Sequence, residues 1–388
     1  MKRLTVLAAT LSPVALLASC GSGYSTGEGA GEATSTPAPI EPTETAFSIT
    51  EHGTYDKPWA AAFIPGTQVI VVTERGGTLR GKDLRNEKAV FFSGVPEVVF
   101  NRQGGLGDVA FLPSEASSTI DGRTIYLSWV EAGAGDTNGA VVGRGRMVCE
   151  DHQDCAIRDL QVIWRQDPKV GGGFHYSHRL SFSPDEKYLY VASGERNEQQ
   201  PAQDTSNNLG SIVRLNLDGT PAQGNPLGTD LWSWGHRNIL GMDFDASGRL
   251  WEVEHGPAGG DELNLVKRGA NYGWPVRSYG DQYDGTPIPD HTEDDGFAKP
   301  ALQWTPVIAP GNMVFYRGDL FRGWRGDAVI SGLKTKALIR VAINGETARE
   351  VGRYSFDNRI RSVIEGPDGA LWVLEDGDKG RLLELRPR

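Results

Sequence analysis

One pattern recurs six times along this chain and constrains its fold more than any other feature. It is an apolar-alternating strand, a turn rich in Pro, Asp and Gly, then a second strand rich in Leu, Trp, Tyr and Val. It runs through AAFIPGTQVIVVTERGG from Ala61 and DVAFLPSEASSTIDGRTIYLSWVEAG from Asp108. It returns in RLSFSPDEKYLYVASGE from Arg179, GMDFDASGRLWEVEHG from Gly241, MVFYRGDLFRGWRGDAVISGLK from Met313 and SVIEGPDGALWVLEDGD from Ser362. Period-two alternation about a tight turn reads as a β-hairpin. Copies spaced at roughly 45 to 75 residues are blades with inserted loops. Helical periodicity is nearly absent, and 50 Gly with 10 Trp fit many tight turns and large aromatics packed between sheets. The expected fold class is all-β, a six-bladed β-propeller whose inner loops converge on one axial site.

This domain spans residues 47–388, long enough for a sizeable core. Before it, Met1-Lys2-Arg3 is basic and leads into an apolar segment from Leu4 to Ala18, the layout of a secretory signal. Its end, Leu17-Ala18-Ser19-Cys20, resembles the lipobox of bacterial lipoproteins, which implies a lipidated Cys20 and a signal over residues 1–20. Residues 21–46 are Gly, Ser, Thr, Pro, Glu and Ala, with almost nothing to bury, and read as a flexible tether. The expected location is extracytoplasmic, lipid-anchored to a membrane face. In such a compartment Cys149 and Cys155 are expected to form a short-loop disulfide. A metal reading, with His152 between the two thiols, stays open beside it.

The formal net charge of −11 comes without any Lys/Arg-rich stripe, which argues against nucleic acid as a partner. The candidate chemistry lies at hairpin ends. His175, in Gly171-Gly172-Gly173-Phe174-His175, precedes a blade strand and can serve as a general base, although a lone loop histidine is more often structural. Glu195 leaves the same hairpin, so it can approach His175 and fix its tautomer. Gln103 precedes another strand among glycines that let backbone approach a ligand. Arg237, Lys334, Arg359 and Arg361 border strands as well. Converging on one axis, they imply a multiply anionic ligand such as a polycarboxylate; isolated, they are solvated loops. The stretch from Glu254 to Glu262 offers carboxylates and free carbonyls among glycines, suited to Ca²⁺ though unlike an EF-hand.

These motifs together resemble the soluble, PQQ-dependent aldose sugar dehydrogenases related to bacterial soluble glucose dehydrogenase. The residues that carry the resemblance are Gln103-Gly-Gly-Leu, His175-x-x-x-Arg179-Leu180, Gly194-Glu195-Arg196-Asn197 and Gly235-His236-Arg237-Asn238. They continue with Glu254-His255-Gly256-Pro257, Gly260-Asp261-Glu262-Leu263-Asn264, Gly269 to Pro275, Leu333-Lys334 and Arg359-Ile360-Arg361. The resemblance implies that His175 takes the proton of the sugar C1 hydroxyl while hydride passes to the PQQ quinone, with Glu195 orienting the base. It implies that Gln103, Arg237, Asn238, Lys334, Arg359 and Arg361 hold PQQ, and that the carbonyls of Gly256 and Pro257 bind the Ca²⁺ beside it. Glu262 and Tyr272 match positions of a further, structural calcium. The implied partners are an aldose, oxidised to its lactone, and an external electron acceptor, either a quinone or a redox protein.

Two features depart from the family. His178 stands where relatives usually have Gly or Ser, and Tyr279 to Gln303 falls where they vary and where substrate choice is made. Two other classes fit parts of the pattern. A calcium-dependent propeller lactonase or hydrolase leaves Lys334, Arg359 and Arg361 unexplained, and a non-catalytic carbohydrate-binding propeller leaves the base unexplained.

Overall fold

The computed structural model describes residues 47–150 and 153–388. The proposed signal, Cys20, the tether and His152 lie outside the described residues. Within them the protein is a six-bladed β-propeller, and each hairpin pattern in the sequence is the inner half of one four-stranded blade. The innermost strands are Pro58–Phe63, Leu106–Phe111, Ser177–Phe182, Ile239–Phe244, Pro310–Phe315 and Ile360–Glu365, in blades 1 to 6. They contact one another in that order, and the last contacts the first, so they ring a common axis.

Turn chemistry explains why the hairpins form where they do. In blade 4, Asp245 Oδ1 accepts from the backbone N–H groups of Ser247 (2.9 Å) and Arg249 (3.0 Å), and Gly248 takes φ 75°. Asp368 plays the same part in blade 6, accepting from Ala370 N at 3.1 Å, with Gly369 at φ 84°. An Asp side chain that mimics the backbone and a following left-handed residue make the chain reverse within a few residues.

The second strand of a blade is buried on both faces because a neighbouring blade covers each one; Val69–Glu74, Leu250–Glu254 and Leu371–Glu375 are buried throughout. Six apolar clusters result, one at every blade junction, from Ile64, Val71, Leu106 and Leu127 between blades 1 and 2 to Ile70, Val72, Trp372 and Leu382 between blades 6 and 1. Burial is thus spread around the ring instead of gathered in one core.

Two pairings tie distant parts of the chain together. The first described strand, Phe47–Tyr55, runs antiparallel to Gly380–Pro387 and completes blade 6 as its outermost strand. The outermost strands of blades 1 and 2, Lys88–Ser93 and Asp154–Arg165, pair in parallel from Phe91↔Asp154 to Ser93↔Ala156, which joins both blades into one sheet. The Cys149–Cys155 disulfide is formed and closes the end of the hairpin feeding that edge.

Candidate active site at one end of the axis

The hairpin pairing sets the site. Ser177 pairs with Ser193, so the loops before and after this hairpin run side by side, and His175 Nδ1 meets Glu195 Oε1. Glu195 is fully buried and its Oε2 accepts from Gln199 N at 2.5 Å. Gly194 is required here: the His175 carbonyl oxygen passes 2.0 Å from where a Cβ would stand. Gln103 Oε1 accepts from His175 N at 2.8 Å, and Arg196 braces the loop from behind, stacking 3.8 Å over Tyr176 and donating to Phe174 O at 2.9 Å. Burial pulls the His175 pKa below its usual value, against the opposing pull of the Glu195 hydrogen bond. A neutral imidazole with Nδ1–H held by a carboxylate presents a free lone pair at Nε2.

Beside this pair lies a cavity of about 280 Å³ lined by Trp59, Arg75, Gln103, Asn238, Arg359 and Arg361, among others. Its walls carry three guanidinium groups and one carboxylate, Asp376. Arg361 donates to Asp376 Oδ1 from Nε (3.0 Å) and Nη2 (2.9 Å), and Arg359 donates to Oδ2 at 2.9 Å. One acidic group thus serves two arginines, and neither is the free cation that the sequence suggests. Burial, together with the charge of Arg361, lowers the Arg75 pKa. The excess positive charge suits an anionic guest. Asn238 lines the cavity, buried, with its Oδ1 accepting from Ser177 Oγ at 3.2 Å. Lys334 is exposed and outside the lining, where its neighbour Leu333 stands instead.

Arg237 is turned elsewhere. It is buried and donates to the carbonyls of His255 (3.2 Å) and Gly256 (2.9 Å), with Tyr283 Oη at 3.4 Å, and its Nε has no partner. Its guanidinium therefore occupies the Gly256 carbonyl that the sequence assigns to a cation. The Gly256-Pro257 turn is held by Asp261, which accepts from Gly256 N (2.9 Å) and Ala309 N (2.6 Å).

Behind this turn sits a buried acidic cluster. Ligand atoms of His236, Glu252 and Glu254 lie within 4.8 Å of one another, and Asn264 donates to both Glu252 (2.7 Å) and Glu262 (3.2 Å). Glu252 Oε2 and Asn264 Oδ1 are buried without partners. Burial and the Glu254 charge push Glu252 up to about 7 and Glu262 well above the usual carboxylate range. Burial pulls His236 down, but Glu252 and Glu254 outweigh it and hold the imidazole at about 9. Three carboxylates against one imidazole is a donor set for a divalent cation. Tyr272 stacks on His236 at 4.4 Å, and its hydroxyl donates to Leu265 O at 2.6 Å. The phenol is thereby committed to the backbone, accepting also from Lys267 N at 2.8 Å.

Sequence reasoning missed Arg75, Asp376 and Glu252, and named Glu254 only as one end of the carboxylate-rich stretch. A signal existed: like Glu195, all four stand at or near the exit of an inner hairpin, beside its entrance. A larger cavity, about 720 Å³, opens at the opposite ends of the innermost strands, but its lining is acidic in excess, with its two arginines tied up as Arg317 with Asp243 at 2.9 Å and Arg179 with Asp108 at 3.3 Å.

A model of the family described as glucose/sorbosone dehydrogenase matches residues 55–384. The chain belongs to the glucose/sorbosone dehydrogenase family. It is 38% identical over 344 residues to the aldose sugar dehydrogenase YliI of Escherichia coli K12, covering 86% of this chain and 91% of that one. The solved structure of the soluble E. coli aldose sugar dehydrogenase in its apo form superposes with a TM-score of 0.82 at 37% identity, covering 88% of this chain and all of that one. The PQQ-bound aldose sugar dehydrogenase of Streptomyces coelicolor superposes with a TM-score of 0.70 at 27% identity, covering 89% and 99%. This glucose/sorbosone dehydrogenase family member is an oxidoreductase, and the ring of cations and the His175–Glu195 pair stand in a fold it shares with sugar dehydrogenases.

Proposed function

We propose that the enzyme oxidises aldose sugars at C1 to the lactone with PQQ and Ca²⁺, and passes the electrons to an external quinone or redox protein. The observation that carries this reading is the His175–Glu195 pair beside a cavity with three guanidinium groups and one carboxylate. A tricarboxylate quinone fits that charge, and Arg237, which the resemblance assigns to the same cofactor, keeps an unpartnered Nε outside that lining. Ca²⁺ fits the buried acidic cluster and the carbonyls of the Gly256-Pro257 turn, once Arg237 releases Gly256. Once bound, PQQ supplies a hydride acceptor and Ca²⁺ a Lewis acid.

The chain's own residues do the rest. Glu195 holds His175 Nδ1–H, so Nε2 takes the proton of the C1 hydroxyl, and Glu195 steadies the imidazolium that forms. Gln103 fixes the backbone of the base, and Arg75, Arg359, Arg361 and Asn238 bind and orient the acidic cofactor, with Lys334 at the rim. Cys20 would carry the lipid that anchors the enzyme to an extracytoplasmic membrane face, at the cell surface or in the periplasm. A hydrolase would have no use for the excess of arginines.

The test is aldose oxidation by the purified full chain with an artificial electron-accepting dye, with and without added PQQ and Ca²⁺. Turnover that requires both is the expected result. No turnover, together with no heat of PQQ binding, overturns the reading.

A further inference from the structure

We propose that His178 is a cofactor-contacting residue, whose neutral imidazole donates a hydrogen bond from Nε2 to an oxygen of the acidic ligand in the cavity beside His175. The inference rests on the quinone-cofactor reading above.

His178 follows the base by three residues and lines the same cavity as Gln103, Asn238, Arg359 and Arg361. The local backbone is arranged to bring it there. The register shifts between Ser177 and Leu180, and bulges of this kind re-aim side chains. His175, Ser177 and His178 take φ of 50°, 58° and 47°, left-handed values that side chains beyond glycine adopt at a cost. Three such residues within four, none of them glycine, mark a segment held by its surroundings. The result sends Arg179 to the axis and the His178 ring to the cavity, tilted against Trp59 at 4.8 Å.

The ring's hydrogen bonding is unmet. Nδ1 is buried with no partner. Its edge packs on Gly107, where a Cβ would stand 2.1 Å from Cε1 and 2.3 Å from Nδ1, so no partner can enter on that side. A buried lone pair without a partner costs less than a buried N–H without one, which puts the hydrogen on Nε2. Burial, with the charges of Arg179, Arg75 and Arg196, pushes the ring down to about 3, so it is neutral at neutral pH. The cavity thus has, among its cations, one uncharged donor that no described residue satisfies. A carboxylate or carbonyl oxygen of a flat, multiply anionic molecule meets that need, whereas an apolar guest does not.

The experiment titrates PQQ into the cofactor-free full chain by calorimetry, comparing wild type, His178→Leu and His178→Gln. Leu keeps bulk and removes the donor; Gln keeps an N–H. The expected result is about tenfold weaker PQQ binding for Leu, less than about threefold for Gln, and a shifted absorption maximum of bound PQQ in Leu alone. Leu binding PQQ as tightly as wild type, with an unshifted spectrum, overturns the proposal and makes His178 a packing residue. Should Leu fail to fold, the wild-type imidazole resonances decide: Nε2–H of His178 shifts when PQQ is added, and a resonance that stays in place overturns the proposal. Wild type that binds no PQQ removes the cofactor reading and this inference together. Equal binding by wild type and Leu removes only this one.

Discussion

The guanidinium carbon of Arg179 lies 3.8 Å from the centre of the Trp59 ring, and this contact plugs the propeller axis. From blade 3, Arg179 also donates to Leu240 O in blade 4 (2.6 Å), Gly311 O in blade 5 (2.8 Å) and Asp108 in blade 2 (3.3 Å). Trp59 belongs to blade 1, so one side chain ties blade 3 to the innermost strands of four other blades. Burial lowers its pKa to about 10, which leaves it charged at neutral pH.

Arg179→Met should therefore destabilise the fold by about 3–5 kcal/mol, because Asp108 is left buried without its cation. The guanidinium chloride midpoint measures this. Adding Asp108→Asn should recover part of the loss.

His175→Ala should lower turnover by about 10²- to 10⁴-fold while PQQ binding persists. Activity needs the unprotonated ring, so it is present above the His175 pKa and lost as pH falls through it. Burial places that acid limb below the ordinary histidine value of 6.5. Glu195 opposes the shift, so Glu195→Gln should move the limb to still lower pH and reduce the maximum rate. The pH profile of kcat reads both effects.

Ca²⁺ added to metal-stripped protein should raise the melting temperature. With free ion a hundredfold above Kd the gain is about 2.7 kcal/mol. Glu262→Gln should reduce the gain, because it removes one of the buried carboxylates that face Glu252 and Glu254. Thermal melts with and without Ca²⁺ check this.

Replacing Cys149 and Cys155 together by Ser should cost about 2 kcal/mol in reversible unfolding, the value for so short a loop. The disulfide sits at the outer part of blade 2, so kcat should not change.

Much of the fold is legible because its signals are local. Each inner hairpin carries its own alternation and turn, and the Asp245 and Asp368 turns can be read from a handful of neighbouring residues. The parallel edge between blades 1 and 2 and the pairing of Phe47–Tyr55 with Gly380–Pro387 join segments far apart in sequence, and no local pattern encodes them. The site divides the same way. His175 and Glu195 follow from the rule that a hairpin's entrance and exit are neighbours, and the same rule, applied to blade 6, leads from Arg361 to Asp376. That Arg237 rests on Gly256, or that Lys334 points to solvent, depends on rotamers that spacing does not report.

The closing strand has a consequence for how each molecule comes into being. Phe47–Tyr55 is made before all six inner hairpins, while its partner, Gly380–Pro387, is made after them. Translation therefore delivers a row of blades with an unfastened end, and Phe47–Tyr55 must wait, unpaired, until Gly380–Pro387 emerges. A chain that stopped before Gly380 would carry every residue of the His175 pair and the arginine-lined cavity, yet lack the strand that fastens Phe47–Tyr55 into blade 6.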